Sequence, residues 1–561
     1  MRDEGWRVPS PIFPFLCSYK SCMQMLKVKD LEVVYETERG LLRAVRGLGF
    51  ELAAGEVLGV VGESGSGKTA LSLALMGLLP PNGRIAEGEV RLKKTDGTEI
   101  RVDTLGPVAR AKLRGREMAM IFQEPMTSLN PVFRCGEQVA EVRRFHFAEG
   151  KKAAREKALE LFRQVQFDDP ERIYRSYPHQ LSGGQRQRVM IAMALAGNPS
   201  LLIADEPTSA LDVTVQREIL LLLKALQQDW KGAMLFISHD LHVVRHVADK
   251  VLVMKAGEVV EQGGVEEIFR NPKHPYTKQL IDDSRMHPRK TPQVPQIQSE
   301  PLVAVRHLKT WFPSVKSFFG KTLQWVKAVD DVSLSVYPGE TLGIVGESGS
   351  GKSTLGRSLL LLEEPQAGEV LYQSRNLASL EKGAWKKVRK DLQIIFQDPF
   401  ASLNPRLTVG QAVMEPMAVH GIFATKKERE AEALRLMKKV GLEEEHFHRL
   451  PEAFSGGQRQ RICIARALAL QPRFLICDEC VSALDVTIQA RILDLLMQLK
   501  FELGLTYIFI SHDLAVVRSI SDRIAVMKDG KVVEIGEAEE LFRNPQHPYT
   551  KKLLAASLAE I

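Results

Sequence analysis

A glycine-rich segment between an apolar run and a helix-prone run constrains this chain more than any other feature. The apolar run covers residues 57–61, and the helix-prone run covers residues 70–79. Glycines between a buried strand and a helix let backbone N–H groups converge on phosphate oxygens, and the helix N-terminus adds its positive dipole end. The segment therefore predicts a phosphate cradle. Its residues are Gly62, Glu63, Ser64, Gly65, Ser66, Gly67, Lys68 and Thr69.

The same segment recurs in the second half of the chain, again after an apolar run, residues 341–345. In both copies the lysine can reach the β- and γ-phosphates, and the hydroxyl beside it, Thr69 or Ser353, can bind Mg²⁺. A chance match in a glycine-rich loop does not explain two copies, so we expect nucleoside triphosphate to bind twice. The second set is Gly346, Glu347, Ser348, Gly349, Ser350, Gly351, Lys352 and Ser353, with the adjoining Thr354.

The rest of the chain is also repeated, at an offset of 273 residues over most of each half. Asp205 and His239, for example, recur as Asp478 and His512. A repeat of this length predicts two homologous domains rather than one large domain.

The predicted domains cover residues 25–281 and 301–561. Residues 282–300 between them are polar and contain three prolines, so they are interpreted as a linker. Residues 1–24 have acidic residues and prolines where a secretory signal needs positive charge and an unbroken apolar run, so we interpret them as a disordered extension. The alternative starts of the protein are Met23 and Met25.

Hydrophobic periodicity predicts the fold class. Alternating apolar residues at 31–35 and 44–52 indicate antiparallel strands, and helical spacing at 158–165 indicates an amphipathic helix. Strands then alternate with helices, which predicts a mostly parallel core sheet with functional residues at the carboxyl ends of its strands. The expected class is α/β: two P-loop nucleotide-binding domains in tandem, each with a core sheet, an antiparallel β subdomain and a helical subdomain.

Composition argues against a membrane-spanning protein and against a protein held together by disulfides. No apolar run approaches the roughly 18 residues that a membrane-spanning helix needs, so we expect any membrane role to depend on a partner. The six cysteines are scattered, which indicates a reducing compartment. Cys477 and Cys480 have a C-x-x-C spacing, but no second pair or histidine set completes a tetrahedral site, so we expect no zinc.

Two predicted buried strands end in adjacent carboxylates. These are Asp205 with Glu206, and Asp478 with Glu479. Neighbouring residues of a strand point to opposite sides, so the two acids can do different jobs. The aspartate suits holding Mg²⁺ through water, and the glutamate suits accepting a proton from attacking water. Acids that only cap the next turn are the structural alternative, which the placement after two phosphate loops disfavours.

Glutamine and histidine residues complete the candidate site. The amide oxygens of Gln123 and Gln397 can bind Mg²⁺ or the attacking water, while His239 and His512 follow strands from which an imidazole can reach the γ-phosphate. In a single copy, each would be interpreted as a surface glutamine or as a structural histidine at a sheet edge. Their repetition favours catalysis.

A serine–glycine–glycine–glutamine segment opens an apolar helix in each half. The serine and glycines at a helix start form a second anion site of backbone N–H groups. Two domains that pack head to tail can use it, because each such segment can close on the γ-phosphate held by the other domain. The residues are Ser182, Gly183, Gly184 and Gln185, and Ser455, Gly456, Gly457 and Gln458.

Together these motifs resemble the ATP-binding cassette (ABC) ATPase family in tandem-fused form, over nearly the whole of residues 26–555. The resemblance implies ATP hydrolysis with ATP and Mg²⁺. It implies that Tyr35 and Phe312 stack on adenine, although Trp311 lies next to the latter. It also implies that Asp212 and Asp485 contact the opposite domain.

Two details of the chain bear on how far the resemblance extends. Cys480 stands where the first half has Pro207, and a small residue in this turn should have little effect, so we expect two competent sites. In some relatives a cysteine-containing tail holds an iron–sulfur cluster. Residues 282–300 and 551–561 contain no cysteine, so no cluster is expected.

The segments 122–131 and 396–405 and the tails 271–277 and 544–550 resemble the peptide and nickel importer branch of that family. This likeness implies two integral-membrane permease subunits, an extracytoplasmic solute-binding protein and no nucleic acid. It places the chain at the cytoplasmic face of the cell membrane, as a peripheral subunit.

The predicted function is therefore ATP hydrolysis coupled to uptake of a dipeptide, an oligopeptide or a glutathione-like solute. A soluble tandem ABC ATPase that acts on ribosomes or DNA is the alternative. Such proteins often have a long charged linker or zinc modules, whereas this linker is short and rich in proline. An exporter is disfavoured because no membrane spans are fused to the chain. The solute pocket is expected on other polypeptides, so the solute stays open.

Overall fold

The computed structural model describes residues 24–37, 40–123, 128–209, 211–230, 232–284, 300–316, 322–482 and 484–556. Residues 24–284 are called the first half below, and residues 300–556 the second half. Apart from Gln24, which opens the first strand, the predicted extension lies outside the described residues.

The described residues of the first half form ten strands. They are β1 (Gln24–Thr37), β2 (Gly40–Ala53), β3 (Val57–Val61), β4 (Gly83–Lys93), β5 (Glu99–Arg101), β6 (Met118–Ile121), β7 (Leu201–Asp205), β8 (Ala233–Ser238), β9 (Lys250–Lys255) and β10 (Glu258–Gly264). Its described helices are α1 (Lys68–Met76), α2 (Pro107–Leu113), α3 (Cys135–Phe147), α4 (Lys151–Gln164), α5 (Pro170–Arg175), α6 (Gly183–Leu195), α7 (Val213–Asp229), α8 (Leu241–Val247), α9 (Val265–Arg270) and α10 (Pro275–Ser284).

The second half repeats this order. Its strands are β11 (Val303–Lys316), β12 (Thr322–Val336), β13 (Thr341–Val345), β14 (Ala367–Tyr372), β15 (Arg375–Asn376), β16 (Leu392–Ile395), β17 (Phe474–Asp478), β18 (Thr506–Ile510), β19 (Arg523–Lys528) and β20 (Lys531–Glu537). Its helices are α11 (Lys352–Leu359), α12 (Lys382–Asp391), α13 (Pro399–Ser402), α14 (Val409–His420), α15 (Lys426–Lys439), α16 (Gly456–Leu468), α17 (Val486–Leu503), α18 (Leu514–Ile520), α19 (Ala538–Arg543) and α20 (Pro548–Ala556).

Each half has two sheets, and the strand orders of the halves match. The smaller sheet of the first half is antiparallel, in the order β2-β1-β4-β5, as the alternating apolar segments predict. The larger sheet has the order β10-β9-β3-β8-β7-β6 and is parallel except at β10. The second half has the orders β12-β11-β14-β15 and β16-β17-β18-β13-β19-β20. The predicted α/β class is confirmed.

Burial explains why the central strands form. All residues of β3, β7 and β8 are buried, because both faces of the parallel sheet are covered and neither is solvated. On one face β3 and α1 pack against the antiparallel sheet, and on the other face lie α4 and α6 of the helical region. The carboxyl ends of the strands stay at an open edge, where functional side chains can gather.

The end of the first half differs from the predicted boundary. Helix α10 continues through Ser284, so the first three residues of the predicted linker are helical. The buried face of this helix includes Leu280 and Ile281, and the Ser284 hydroxyl in its last turn donates to the carbonyl of Ile281. Residues 285–299 of the predicted linker lie outside the described residues.

The two halves contact each other through their last helices. Helix α10 packs against α17 of the second half, and α20 packs against α7 of the first. The Arg217 guanidinium on α7 donates to the carbonyl of Ala555 on α20. In the described ranges no helix is both long and apolar enough to cross a bilayer.

Candidate nucleotide-binding and active site

The first glycine loop connects β3 to α1 in a curled form that only glycine allows. Gly67, the residue before α1, has a φ of 101°, and a Cβ there would lie 2.3 Å from the carbonyl oxygen of Ala44. The curl lets the buried Lys68 ammonium donate to the carbonyls of Gly62 at 2.7 Å and Glu63 at 2.9 Å. The loop lysine is therefore held over its own backbone, within the cradle.

The second loop repeats this geometry. The Lys352 ammonium donates to the carbonyls of Gly346 at 2.7 Å and Glu347 at 2.9 Å. Burial lowers the pKa of both loop lysines, although nearby carboxylates, Glu206 and Glu479 first among them, oppose the shift. A buried ammonium is a suitable partner for a polyphosphate.

Two buried hydroxyls in these loops are without a partner in the described part of the chain. They belong to Ser66 and Ser350, each at the same position of its loop. Buried polar groups in proteins are nearly always hydrogen-bonded, so an unpaired hydroxyl in a glycine cradle fits a loop that binds a polar ligand.

The paired acids lie at the carboxyl ends of β7 and β17, and the two members of each pair have different partners. Asp205 accepts a 2.8 Å hydrogen bond from the Ser72 hydroxyl, and Asp478 accepts one of 2.7 Å from Ser353. The other carboxylate oxygen of each aspartate is buried and has no partner among the described residues. Ser72 was missed by sequence reasoning, because the second half has Gly356 at that position and the repeat gave no signal.

The glutamate after each aspartate contacts the predicted glutamine and histidine. Glu206 accepts from Gln123 Nε2 at 3.1 Å and lies 3.0 Å from His239 Nδ1. The second half repeats these contacts. Glu479 accepts from Gln397 Nε2 at 2.7 Å and lies 3.5 Å from His512 Nδ1. Three strand ends thus bring together side chains that are far apart in sequence. The amide nitrogen of each glutamine, not the oxygen, makes this contact.

Both glutamates have a strained backbone. Their φ angles are 47° for Glu206 and 45° for Glu479, in the left-handed region that residues with a Cβ rarely adopt. The N–H of each donates to the end of the neighbouring strand, at Ile237 and Ile510, at 2.9 Å. Such strain tends to occur at functional sites, because the surrounding structure must enforce it.

Glu206 and His239 form an ion pair. Burial alone would raise the pKa of Glu206, but His239, with help from Lys68 and Gln123, holds that pKa below its usual value. Burial alone would lower the pKa of His239, but Glu206, together with Asp240 and Asp485, holds that pKa above its usual value. The pair is therefore charged between the two shifted values.

We expect His239→Gln to make stability less dependent on pH. The raised pKa of His239 contributes stability in full below the unfolded value, near about 6.5, and this is lost as the pH rises through the folded value. The variant should be less stable by about 1.5–3 kcal/mol near pH 6, with a difference that shrinks at higher pH. Urea unfolding of both proteins across this range measures it. A difference that is constant with pH would contradict the ion pair.

The serines of the two serine–glycine–glycine–glutamine segments, Ser182 and Ser455, each lie where a helix begins. Ser182 caps α6: its hydroxyl accepts from the N–H of Gln185 at 3.3 Å, and the Gln185 side chain accepts from the N–H of Ser182 at 3.2 Å. Ser455 and Gln458 form the same capping box on α16. The glutamines of the two segments therefore stabilise the helix start, which leaves the glycine N–H groups at the positive end of the helix.

One direct contact joins the first loop to the second half. Asp485 Oδ2 accepts a 2.9 Å hydrogen bond from the N–H of Ser64. Its counterpart Asp212 instead caps α7 by accepting from the N–H of Val215 at 3.0 Å, although its charge opposes the lowering of the Lys352 pKa by burial. Both aspartates thus lie near the loop of the opposite half.

The two predicted adenine-stacking residues lie on equivalent strands of the antiparallel sheets. Tyr35 on β1 packs its ring against Gly83 of the adjacent β4. Phe312 on β11 is 37% exposed, while the ring of the adjacent Trp311 lies 4.7 Å from the Lys327 ammonium. Of the two neighbouring aromatic residues, Phe312 is therefore the one not engaged by this lysine.

No group of three or more histidine, cysteine or acidic residues that could hold a metal occurs among the described residues. Cys477 and Cys480 are both buried.

A glycine loop, an acid-ended strand and a histidine-ended strand along one edge of a parallel sheet define a P-loop nucleoside triphosphatase, and this chain contains two. Sequence comparison identifies which kind. The ABC transporter family matches residues 45–209 and 329–482, and the C-terminal region of oligopeptide/dipeptide transporters matches residues 260–309 and 533–560.

Several proteins are similar over most of their length. The glutathione import ATP-binding protein GsiA of Escherichia coli K12 is 48% identical over 556 residues, which cover 95% of this chain and 89% of that protein. The protein of the same name in Salmonella typhimurium LT2 is 46% identical over 559 residues, with the same coverage. A solved dimeric bacterial ABC transporter cassette is 30% identical, covers 43% of this chain and 99% of its own, and has a TM-score of 0.38.

This chain belongs to the ABC transporter family. It is an ATP-binding protein and an ATPase, with two cassettes in one polypeptide and the tail of the oligopeptide/dipeptide transporters. The predicted family, activity and transport class are confirmed.

Proposed function

We propose that this chain drives the import of glutathione or a closely related peptide into the cell. The observation that carries the proposal is 48% identity to a glutathione import ATP-binding protein across 95% of the chain, so that both cassettes and both tails are covered. The peptide-transporter tail occurs twice, once in each half. Both features favour a peptide-like solute over a nickel chelate.

Each cassette is proposed to hold Mg²⁺ beside the phosphates. The buried aspartate oxygens without a partner are suited to bind a hard cation directly or through water. When bound, the cation neutralises charge that develops on the phosphoryl oxygens. The residues assigned to it are Thr69, Asp205 and Gln123 in the first half, and Ser353, Asp478 and Gln397 in the second.

Glu206 and Glu479 are proposed as the catalytic bases. The lowered pKa keeps each carboxylate ionised at neutral pH, so it can accept a proton from the attacking water. The histidine and the glutamine on either side orient the carboxylate through hydrogen bonds. The strained backbone fixes where the carboxylate points, which matters because phosphoryl transfer depends mainly on positioning.

The cycle is proposed to depend on closure of one half on the other. The Asp485–Ser64 hydrogen bond supports this, because it places the turn before α17 on the first glycine loop. We propose that the capped helix starts at Ser182 and Ser455 bind the γ-phosphate held by the opposite loop. Hydrolysis removes that shared ligand, which releases the halves.

The partners are proposed to be two integral-membrane permease subunits, reached from the cytoplasmic face of the membrane, and through them an extracytoplasmic solute-binding protein. In the second half a cleft of about 660 Å³ adjoins Gln397, and we propose that it receives a segment of a permease subunit. A segment docked there would contact Gln397, so a movement of Gln397 would displace it. Residues along the cleft include Arg357, Gln393, Gln397, Pro416 and Arg466.

Transport assays test the proposal. We expect proteoliposomes that contain this chain and the permeases encoded with it to take up labelled glutathione under two conditions only. ATP must be present on the side of the membrane where this chain is bound, and the solute-binding protein must be present. A labelled dipeptide and a nickel–histidine complex are the comparison solutes. Uptake of either in preference to glutathione would overturn the solute, and co-purification of the chain with ribosomes instead of membrane proteins would overturn the transport role.

A further inference from the structure

The repeated tail motif makes a contact that catalysis by the cassette does not explain. In the first half the Tyr276 hydroxyl accepts a 3.1 Å hydrogen bond from the N–H of Glu63, which belongs to the first glycine loop. In the second half Tyr549 accepts from the N–H of Glu347 at 3.2 Å. Both tyrosines are nearly fully buried, at 4% and 7% exposed. The same contact in two copies indicates a common role.

The peptide unit that each tyrosine contacts is also used by the loop lysine. The peptide between Gly62 and Glu63 gives its N–H to Tyr276 and its carbonyl to the Lys68 ammonium at 2.7 Å. In a planar trans peptide these two groups point in opposite directions, so fixing the N–H also fixes the carbonyl. The tyrosine therefore sets the orientation of the group that holds the loop lysine in place.

The tail is built to hold this tyrosine rigidly. Glu261 accepts from the N–H groups of Lys273 and His274, and the His274 ring accepts from the N–H of Tyr276 at 3.1 Å. The Lys255 ammonium lies 4.6 Å from the centre of the tyrosine ring. Burial raises the pKa of Tyr276 to about 12, so its hydroxyl is neutral at physiological pH.

The second tail repeats each of these contacts. The residues, in corresponding order, are Glu534, Gln546, His547, Tyr549 and Lys528.

The helix that carries Tyr276 near its start also reaches the other half. Helix α10 packs against α17, which follows Asp485, and Asp485 accepts the N–H of Ser64. Consecutive loop amides, those of Glu63 and Ser64, are thus held by the tail of their own half and by the opposite half. The tail lies where it can transmit the approach of the other half to the shape of the loop.

We propose that Tyr276 and Tyr549 are positioning residues for ATP binding, each of which fixes the first peptide of its glycine loop so that the loop lysine is held ready for phosphate. The proposal rests on the nucleotide sites assigned above. Without the hydroxyl, the partly buried N–H of Glu63 or Glu347 loses its partner and the peptide is free to rotate. The loop must then be ordered by the nucleotide itself, which weakens binding.

Phenylalanine variants of the full chain test the proposal, because Tyr→Phe removes only the hydroxyl. We expect the affinity for ATP to fall about five- to thirtyfold at the first site in Tyr276→Phe, at the second in Tyr549→Phe, and at both in the double variant. The KM for ATP should rise accordingly, with kcat at saturating ATP changed by less than about threefold, as for an interaction made equally in ground and transition states. Steady-state ATPase kinetics and calorimetric ATP titration measure the two effects.

Tyr507→Phe is the matched control. It removes a buried hydroxyl that donates to the carbonyl of Leu496 at 2.9 Å, away from either glycine loop. It should lower the unfolding temperature but leave the KM for ATP at the wild-type value. A KM that stays unchanged in both tail variants, or that rises as much in the control, overturns the positioning role. If the double variant does not fold, the single variants decide, since each leaves the other loop intact.

The result also separates this inference from the site assignment. If the unmodified chain neither binds nor hydrolyses ATP, the nucleotide sites are wrong. If it does both and the tail variants bind ATP normally, only the role of the tyrosines is wrong.

Discussion

Replacing both proposed bases, in a Glu206→Gln, Glu479→Gln double variant, should lower ATP turnover about 100- to 10,000-fold, the usual contribution of a general base. Glutamine keeps the size and hydrogen-bonding shape of the side chain but cannot accept the proton. The glycine loops are unchanged, so ATP should still bind with an affinity within about threefold of wild type. Phosphate release measures the first effect, and calorimetric titration with ATP measures the second.

Single variants and a matched control make this test specific. Each single variant keeps the intact glutamate of the other half, so it should retain more turnover than the double variant. Glu117→Gln changes another buried glutamate of the first half, whose carboxylate accepts from the N–H and hydroxyl of Thr95. That change should affect stability and not turnover. A double variant that retains more than about a tenth of the activity would show that the glutamates are not the bases.

The parts of the site that could be predicted from sequence are those set by local geometry. A glycine loop between a strand and a helix needs only adjacent residues, and the acid pair needs only the alternation of a strand. The repeat then showed which residues occur twice. Because strands of a parallel sheet end at one edge, even the meeting of Gln123, Glu206 and His239 followed from the predicted topology.

Contacts between residues distant in sequence could not be predicted in this way. The Ser72–Asp205 hydrogen bond depends on how α1 packs on β7, and the second half has no serine there to signal it. The amide of Gln123 turns its nitrogen toward Glu206, whereas the sequence suggested only a role for its oxygen. From sequence alone the tail motif indicates only a subfamily. Its contact with the glycine loop joins residues that are 213 positions apart, so no local pattern predicts it.

The ends of helices are a second place where the structure adds to what the sequence predicts. Helix α10 continues past the predicted boundary through three polar residues, and Asp283 among them interacts with Thr487 of the second half, a contact that its own composition does not reveal. The glutamines after the signature glycines were grouped with ligand-binding residues, and the structure places them in capping boxes. Their assignment to nucleotide binding stays a prediction.

Replacing Gly67 by alanine should unfold the first glycine loop. The new Cβ would lie 2.3 Å from the carbonyl oxygen of Ala44, closer than any real contact, and the φ of 101° is unfavourable for alanine. The loop cannot move away easily, because the ammonium of Lys68, the next residue, donates hydrogen bonds to two of the loop carbonyls. We expect a loss of about 3 kcal/mol or more, from overpacking and backbone strain together. Calorimetry should show the unfolding of the first half shifted down by roughly 6–12 °C.

Gly65→Ala is the comparison that isolates the clash. Gly65 also has a positive φ, 77°, but no atom lies within 4 Å of where its Cβ would be. Only the backbone term remains, which costs about 1–2 kcal/mol. The unfolding temperatures of both variants should be measured without nucleotide, so that binding of phosphate does not contribute to the measured stability. Equal destabilisation by the two would mean that the glycines are needed for φ alone, and that the close approach of Ala44 does not shape the loop. A larger effect of Gly67→Ala, together with loss of ATP binding at the first site only, would show that the antiparallel sheet holds the cradle in its working form.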